Sequence, residues 1–294
     1  MPELVTQGSR RLGKQLRGLR EASGLTTTDV ADEIRQDKAT VSRYERGEIK
    51  PKWPVLVMLL NLYRATEAQR QRAAELFEAM RNEPKPLRLP SSVPKAFRRL
   101  TNETRYAWRM RSISISLVPG LLQIDEYIAA LAATLHDPAS GGPRALGIRK
   151  ARQQRLQPTD PKPLVFHAVL DESCLTRLVG GRDVMLKQLR HLLDVAEHWD
   201  NITIQVVPKE TGDYGFGTGG LTIVDYDDDE PSWVYFEYPA GADLVENDED
   251  VQRFANLFEY AARVPESPDE RAVALSPDET ITFIRRQIEV LEPA

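Results

Sequence analysis

The sequence predicts an α+β protein. An N-terminal all-α domain of five helices, which includes a helix-turn-helix, precedes a mixed α/β domain with a small sheet of about four strands. Two short amphipathic patterns with capping residues follow each other over residues 25–47. A segment with four prolines covers residues 82–96, and beyond it short β-branched runs alternate with helical patterns. We therefore predict a helix-turn-helix domain over residues 1–81, a linker over residues 82–96 and a second domain over residues 97–294.

The two short helices carry the most specific pattern in the chain. Thr26 stands three positions before Asp29, and Asp37 stands three positions before Thr40, so both helices begin with a capping signal. Small or apolar residues fall where two crossed helices bury side chains: Val30, Ala31, Ile34, Val41 and Tyr44. The pattern predicts a helix-turn-helix whose second helix enters the major groove of DNA. Pairs of amphipathic helices also occur in other helical proteins. The length of this pattern, its two caps and its many basic residues favour DNA binding.

Three further helices complete the predicted N-terminal domain. Leu12, Leu16 and Leu19 recur at helical spacing, and Gly24 ends that first helix. Pro54 suits the first turn of a fourth helix, and residues 66–80 form a fifth.

The tract LTTTDVADEIRQDKATVSRYERGEIKP, residues 25–51, resembles the XRE-type helix-turn-helix domain, a five-helix module also found in phage repressors. The resemblance covers residues 9–64. Register with that family implies that Lys38, Ala39 and Arg43 read bases in a double-stranded DNA operator. It also implies phosphate contacts from residues at helix starts or just beyond the second helix: Thr27, Thr40, Ser42, Arg46 and Lys50.

Two residues depart from the family pattern. Thr27 stands where the family often has a phosphate-contacting Gln, and Arg35 replaces the Gly that is usual in the turn between the helices. A residue other than glycine costs about 1 kcal/mol or more in the left-handed region. Either the turn differs here or that strain is accepted.

Charge is distributed unevenly along the chain. Residues 1–90 hold 17 Lys and Arg against 12 Asp and Glu, a net of +5, and the remainder holds 22 against 32, a net of −10. This asymmetry is typical of a DNA-binding head on a body that does not bind DNA. No apolar run is long enough to span a membrane, and the N-terminus does not resemble a secretory signal. We therefore expect a cytoplasmic protein without membrane contact.

The C-terminal region has a mixed pattern. Runs at residues 164–170 and 202–208 flank a helical pattern, which predicts a β-α-β unit, and runs at 221–226 and 233–238 predict a hairpin across an acidic, solvated turn. Pro119 and Gly120 predict a turn. Helices are predicted at residues 101–115, 125–135, 143–157, 183–199, 247–263 and 277–291, the last capped by Ser276.

This region resembles the C-terminal domain of actinobacterial WhiJ-like regulators. The resemblance rests on LVPGLLQ, LDESCLTRLVGG, QLRHLLDVAE, NITIQVVP and ALSPDETITFIRR, within residues 101–291. It implies a cytoplasmic transcription regulator that is modulated by a small partner protein encoded nearby. Because one head makes too few base contacts for an operator, we also expect a homodimer. The alternative is an antitoxin-like protein that neutralises a small partner and autoregulates its own operon.

The sequence offers no positive sign of catalysis, a metal site or a cofactor. No Ser-His-Asp, paired-carboxylate or Cys-His spacing favours an enzyme. His191 and His198 are two helical turns apart, whereas a metal pair on a helix usually needs three or four residues. The single cysteine, Cys174, excludes an internal disulfide and is expected to be buried.

The glycine-rich stretch at residues 212–220 runs into a strand, whereas phosphate-binding loops run from a strand into a helix. We expect a flexible loop, with Tyr214 and Phe216 as candidates for contact with a partner or ligand. Trp233 and Tyr235, in the strand run at 233–238, are further candidates for a partner surface, but the strand pattern favours a place in the core.

Overall fold

The structure is a computed structural model, which describes residues 7–82, 89, 93–134, 143–160, 162–216, 219–227, 230–238, 241–264 and 272–292. The chain divides into two compact units, residues 1–88 and 89–294. Most of the predicted linker lies outside the described residues, and a helix begins at Lys95, near the end of that segment.

The N-terminal unit contains the five predicted helices. They are α1 (Gln7–Ala22), α2 (Thr27–Glu33), α3 (Lys38–Glu45), α4 (Trp53–Leu62) and α5 (Glu67–Asn82). Both predicted caps are present, because Thr26 and Asp29 form a capping box on α2 and Asp37 accepts from the Thr40 amide at 2.7 Å. One apolar cluster fills the unit, with Leu16, Val30 and Leu56 completely buried.

Two glycines allow α1 to approach the end of α3. A Cβ atom on Gly13 would lie 2.6 Å from the carbonyl oxygens of Tyr44 and Glu45. Gly47, just beyond α3, has φ +67°, and a Cβ atom there would lie 2.6 Å from the backbone of Ser9. Real Cβ atoms do not tolerate such distances, so both positions require glycine.

The C-terminal unit is built on a mixed sheet of six strands, so the predicted number of about four is wrong. The strands are β1 (Arg109–Ser114), β2 (Val165–Asp171), β3 (Ile202–Val207), β4 (Leu221–Asp225), β5 (Trp233–Tyr238) and β6 (Gly241–Val245). Their order is β3-β2-β1-β4-β5-β6. Strands β1, β2 and β3 are parallel, whereas β4 is antiparallel to β1 and the series continues antiparallel to β6. The predicted β-α-β unit (β2 and β3) and hairpin (β4 and β5) are confirmed.

The two missed strands are β1 and β6. Residues 101–115 were predicted as one helix, but the helix in this region ends at Glu103 and β1 begins at Arg109, in the centre of the sheet. The sequence of β1, Arg-Met-Arg-Ser-Ile-Ser, lacks the apolar character of a buried parallel strand. Ion pairing explains its burial, because Arg111 donates two hydrogen bonds to Asp225 on β4, at 3.0 and 3.1 Å.

The prediction of a solvated acidic turn is wrong at Asp225. It is only 5% exposed, ends β4, and accepts a further hydrogen bond from Arg109 at 2.9 Å. The acidic run therefore begins inside the sheet. Of the turn that follows, residues 228–229 lie outside the described part of the chain.

Helices cover both faces of the sheet. They are α6 (Lys95–Glu103), α7 (Asp125–Thr134), α8 (Pro143–Gln153), α9 (Ser173–Thr176), α10 (Arg182–His198), α11 (Asp248–Ala262) and α12 (Pro277–Leu291). On one face, residues of α6, α7, α10 and α12 join a cluster that includes Phe166 and Trp233; on the other, α11 packs through Phe258 onto Ile113 and Val169.

Cys174 is buried, and Ser276 caps α12, as predicted. None of the described helices combines the length and the apolar character that a membrane span requires.

The two glycines of α1 provide a matched pair of substitutions. We expect Gly13→Ala to destabilise the N-terminal unit by about 1–3 kcal/mol, because the added methyl group meets backbone rather than a movable side chain. Gly18→Ala, on the same helix and with nothing within 4 Å, should instead stabilise it by about 0.5–1 kcal/mol. Amide hydrogen exchange of α1 in the full chain measures both changes. Equal effects of the two substitutions would contradict the close approach.

Candidate nucleic-acid interface

Helix α3 presents the predicted base-reading residues on its outer face. Val41 and Tyr44 point into the core, whereas Lys38 and Ala39 are exposed in the first turn. Arg43, one turn further along, keeps 40% of its side chain exposed. These three residues therefore lie on the solvent-exposed side of the helix, and their contact with base edges in a groove stays a prediction.

A buried ion pair fixes α3 against α1. Arg20 donates from Nε and Nη2 to the two carboxylate oxygens of Glu45, at 2.6 and 3.1 Å, and the two side chains are only 12% and 7% exposed. Arg20 also donates to the carbonyl oxygen of Leu25 at 2.9 Å, just before α2 begins. The hydrogen bond to Glu45 raises the pKa of Arg20 against the opposing effect of burial. Sequence reasoning missed this role, because the two residues of the pair are 25 positions apart.

The turn between α2 and α3 accepts backbone strain. Arg35 has φ +55°, in the left-handed region that favours glycine. The turn therefore keeps the conformation for which the XRE pattern uses Gly, and the first of the two possibilities, a different turn, is wrong.

Two of the predicted phosphate contacts are engaged in hydrogen bonds within α3. The Thr40 hydroxyl donates to Asp37 at 2.9 Å, so its proton is not directed at a ligand. The Ser42 hydroxyl accepts from Nη1 of Arg46. The Thr40 amide and then its hydroxyl lower the pKa of Asp37, which keeps a negative charge at the start of α3. A phosphate that approached Thr40 would meet this charge.

Glu48 lies between the two arginines at the end of α3. Arg46 donates to its carboxylate from Nε at 2.7 Å and from Nη2 at 3.2 Å, and Nε of Arg43 is 3.8 Å from it. All three side chains are at least 40% exposed, so a phosphate group can replace the carboxylate. This acidic residue was not singled out in the sequence, because a single Glu among basic residues gives no recognisable motif.

The remaining predicted phosphate contacts lie at the two sides of the helix pair. Thr27 is the first residue of α2 and is partly exposed. Lys50 is turned towards α5, where its ammonium group lies 4.2 Å from the centre of the Phe77 ring and 3.4 Å from the Phe77 carbonyl oxygen. Lys50 must leave this position before it can reach a phosphate.

The candidates for partner contact in the C-terminal unit are not on the surface. Tyr214 is 8% exposed and Phe216 is 4% exposed, and both belong to the cluster under α11. The Tyr214 hydroxyl donates to Asp171 at 2.9 Å. Both aromatic rings cover an apolar face of the sheet, and their contact with a partner or ligand stays a prediction. Trp233 and Tyr235 lie in the core, as expected.

Two other features of the C-terminal unit concern ligands. Among the described residues, no three His, Cys, Asp or Glu side chains are grouped closely enough to hold a metal ion. A cavity of about 250 Å³ is lined by residues that include Leu121, Gln123, His191 and Trp199.

The fold and the exposed face of α3 define a helix-turn-helix DNA-binding protein. Residues 11–73 match a family model described as "Helix-turn-helix domain". Residues 97–286, more than half of the chain, match the family "Domain of unknown function (DUF5753)", and the chain belongs to that family. No curated protein and no solved structure matches the chain.

The buried ion pair gives the first test of this interface. Arg20→Ala should lower the stability of the N-terminal unit by about 3 kcal/mol, because Glu45 is left buried without its partner. The control is Arg17→Ala, which breaks an exposed pair with Glu21 on the same helix and should cost about 0.5 kcal/mol or less. Two measurements on the full chain compare the variants: the free energy of unfolding in urea, and the rate of amide hydrogen exchange in α3. Similar losses in both would show that the Arg20–Glu45 pair does not brace α3.

Proposed function

We propose that this chain is an XRE-type, sequence-specific transcriptional regulator that binds double-stranded DNA and acts as a dimer. The observation that carries the proposal is the exposed face of α3, with Lys38, Ala39 and Arg43, on a helix that is fixed by a buried ion pair. Rigid attachment supports base reading, because sequence discrimination requires donors at defined positions. The opposite net charges of the two chain regions, +5 for residues 1–90 and −10 for the rest, also support it.

The C-terminal unit is proposed as the part that responds to a partner or ligand and holds the dimer. Its resemblance to the domain of WhiJ-like regulators supports this role, including modulation by a small protein. The resemblance also supports an actinobacterial origin, and a DNA ligand supports action in the cytoplasm. We propose a binding role rather than an enzymatic one.

Selection of DNA from a random library by the purified full chain tests base reading. We expect a preferred site with two half-sites, because a symmetric dimer presents two α3 helices. Arg43→Ala should lower affinity for that site about ten- to a hundredfold and relax the preference at one base pair of each half-site, since one good contact to guanine contributes about 1–3 kcal/mol.

Arg46→Gln is the matched control, at the residue that directly follows α3. It should weaken binding to all sequences alike and reduce the slope of log affinity against log salt by about one unit. An unchanged preference in the Arg43 variant, or a sequence-selective loss in the Arg46 variant, would refute the assignment of these two roles.

Glu48 is predicted to limit the affinity of the head for DNA. Phosphate groups must compete with its carboxylate for Arg46, so Glu48→Gln should raise affinity for all sequences about two- to fivefold, the equivalent of one exposed ion pair. Glu75→Gln removes the same charge from α5, where Glu75 pairs with Arg72, and should change affinity less than twofold. Titrations of a specific and a random duplex at one salt concentration measure both variants. Equal gains in the two variants would mean that only net charge matters.

A further inference from the structure

Arg152, on α8, is a buried cation without an acidic partner among the described residues. It is 7% exposed, and its guanidinium carbon lies 5.7 Å from the centre of the Phe97 ring. Nε donates to the Thr104 hydroxyl at 3.3 Å, which is the one hydrogen bond that the guanidinium makes to a described side chain. A buried charge with no counter-ion and a single hydrogen bond is costly, so a bound anion is the simplest way to compensate it.

A second arginine reinforces the positive charge. Arg149 lies one helical turn before Arg152 and donates to the amide oxygen of Gln123 at 2.9 Å, rather than to a carboxylate. Gln123 in turn lines the 250 Å³ cavity of this unit. Burial and then the charge of Arg149 lower the pKa of Arg152 to about 10. Both guanidinium groups remain charged at neutral pH, without an ion pair to a described residue.

Two buried hydroxyl groups on neighbouring elements also lack hydrogen-bond partners. Tyr235, on β5, is 4% exposed, and its hydroxyl is unpaired. Thr101, on α6, is completely buried with an unpaired hydroxyl, one helical turn from both Phe97 and Thr104, which contact Arg152. Buried polar groups in proteins are normally hydrogen-bonded, so two unpaired hydroxyl groups on elements that neighbour a guanidinium without a counter-ion point to a ligand.

The nearest acidic side chain on this face of β5 does not complete the cluster. Glu237 is exposed, and its charge opposes the lowering of the pKa of Arg149 and Arg152, but no ion pair joins it to either arginine among the described contacts. Burial and then Glu237 raise the pKa of Tyr235, yet no hydrogen bond of normal geometry joins the two side chains. The cluster thus keeps unused donors as well as an excess of positive charge.

We propose that Arg152, Arg149 and Tyr235 form a binding site for an oxyanion, the phosphate or carboxylate group of a small molecule. The terminal amino groups of Arg152 can hold two oxygens of such a group side by side, and the Tyr235 hydroxyl can donate to one of them. The site lies wholly within the C-terminal unit, so the proposal does not rest on DNA binding.

Thermal unfolding of the full chain tests the site, with inorganic phosphate and acetate as probes and chloride at equal pH and ionic strength as reference. We expect one probe to raise the Tm with a saturable dependence on concentration. A response to phosphate alone assigns a phosphate ligand, and a response to acetate alone or to both assigns a carboxylate-tolerant site. Phosphate also stabilises proteins by exclusion from their surface, so variants must separate the two effects.

Arg152→Met is the decisive variant. It should abolish the probe-dependent rise and increase the Tm in chloride, because an uncompensated buried charge is replaced by an apolar side chain of similar length. Lys150→Met removes the same charge from an exposed position of α8, paired with Asp125, and should retain the full response. A response in Arg152→Met equal to that of the unmodified chain would overturn the proposal, as would the absence of any response to either probe in the unmodified chain.

Tyr235→Phe provides a second test should Arg152→Met fail to fold. It removes only the unpaired hydroxyl and preserves the ring that packs in the core. We expect the half-saturating probe concentration to rise at least threefold. An unchanged value would remove Tyr235 from the site and overturn the proposed geometry.

Discussion

The geometry of the helix-turn-helix depends on one guanidinium group. Arg20 joins three parts of the N-terminal unit, because it extends from α1, binds Glu45 in α3 and also binds the carbonyl oxygen of Leu25 before α2. Partly buried ion pairs add little net stability, since desolvation offsets their attraction. Their value lies in directionality: two parallel hydrogen bonds define the position of α3 more narrowly than apolar contacts can. The glycines at positions 13 and 47 permit the close approach that this pair requires.

Two of the residues predicted to contact phosphates, Thr40 and Arg46, are hydrogen-bonded to acidic side chains of the N-terminal unit. Asp37 holds the Thr40 hydroxyl, and Glu48 holds Arg46 in two hydrogen bonds. A phosphate that contacts Arg46 therefore replaces the Glu48 carboxylate. The net gain in binding free energy is smaller than for an arginine that has no ion pair. The proposed base contacts by Arg43 would lose less to this exchange, because Nε of Arg43 is 3.8 Å from the Glu48 carboxylate. Such an arrangement favours selectivity over general affinity for DNA.

Two buried arginines of the C-terminal unit, Arg111 and Arg152, have different surroundings. On the sheet, Arg111 and Asp225 satisfy each other on adjacent strands, and the central strand β1 can therefore be polar. On α8, Arg152 is as deeply buried, yet its described surroundings offer one hydroxyl group as an acceptor. The charge of Arg111 is neutralised by Asp225, whereas the charge of Arg152 has no counter-ion among the described residues, which is why we propose an anion-binding site there.

The sequence by itself determined the features that depend on local patterns. These are the five N-terminal helices with the caps at Thr26 and Asp37, the outward placement of Lys38 and Arg43, the β-α-β unit and the hairpin. Helix periodicity and capping act over three or four residues, so a single sequence contains them. Only the tertiary structure decided the remainder. The sequence pattern did not predict strand β1, because its arginines are neutralised by Asp225, more than a hundred positions away. The burial of Tyr214, the bracing of α3 by Arg20 and the unpaired state of Arg152 likewise depend on contacts between distant segments, which local patterns do not specify.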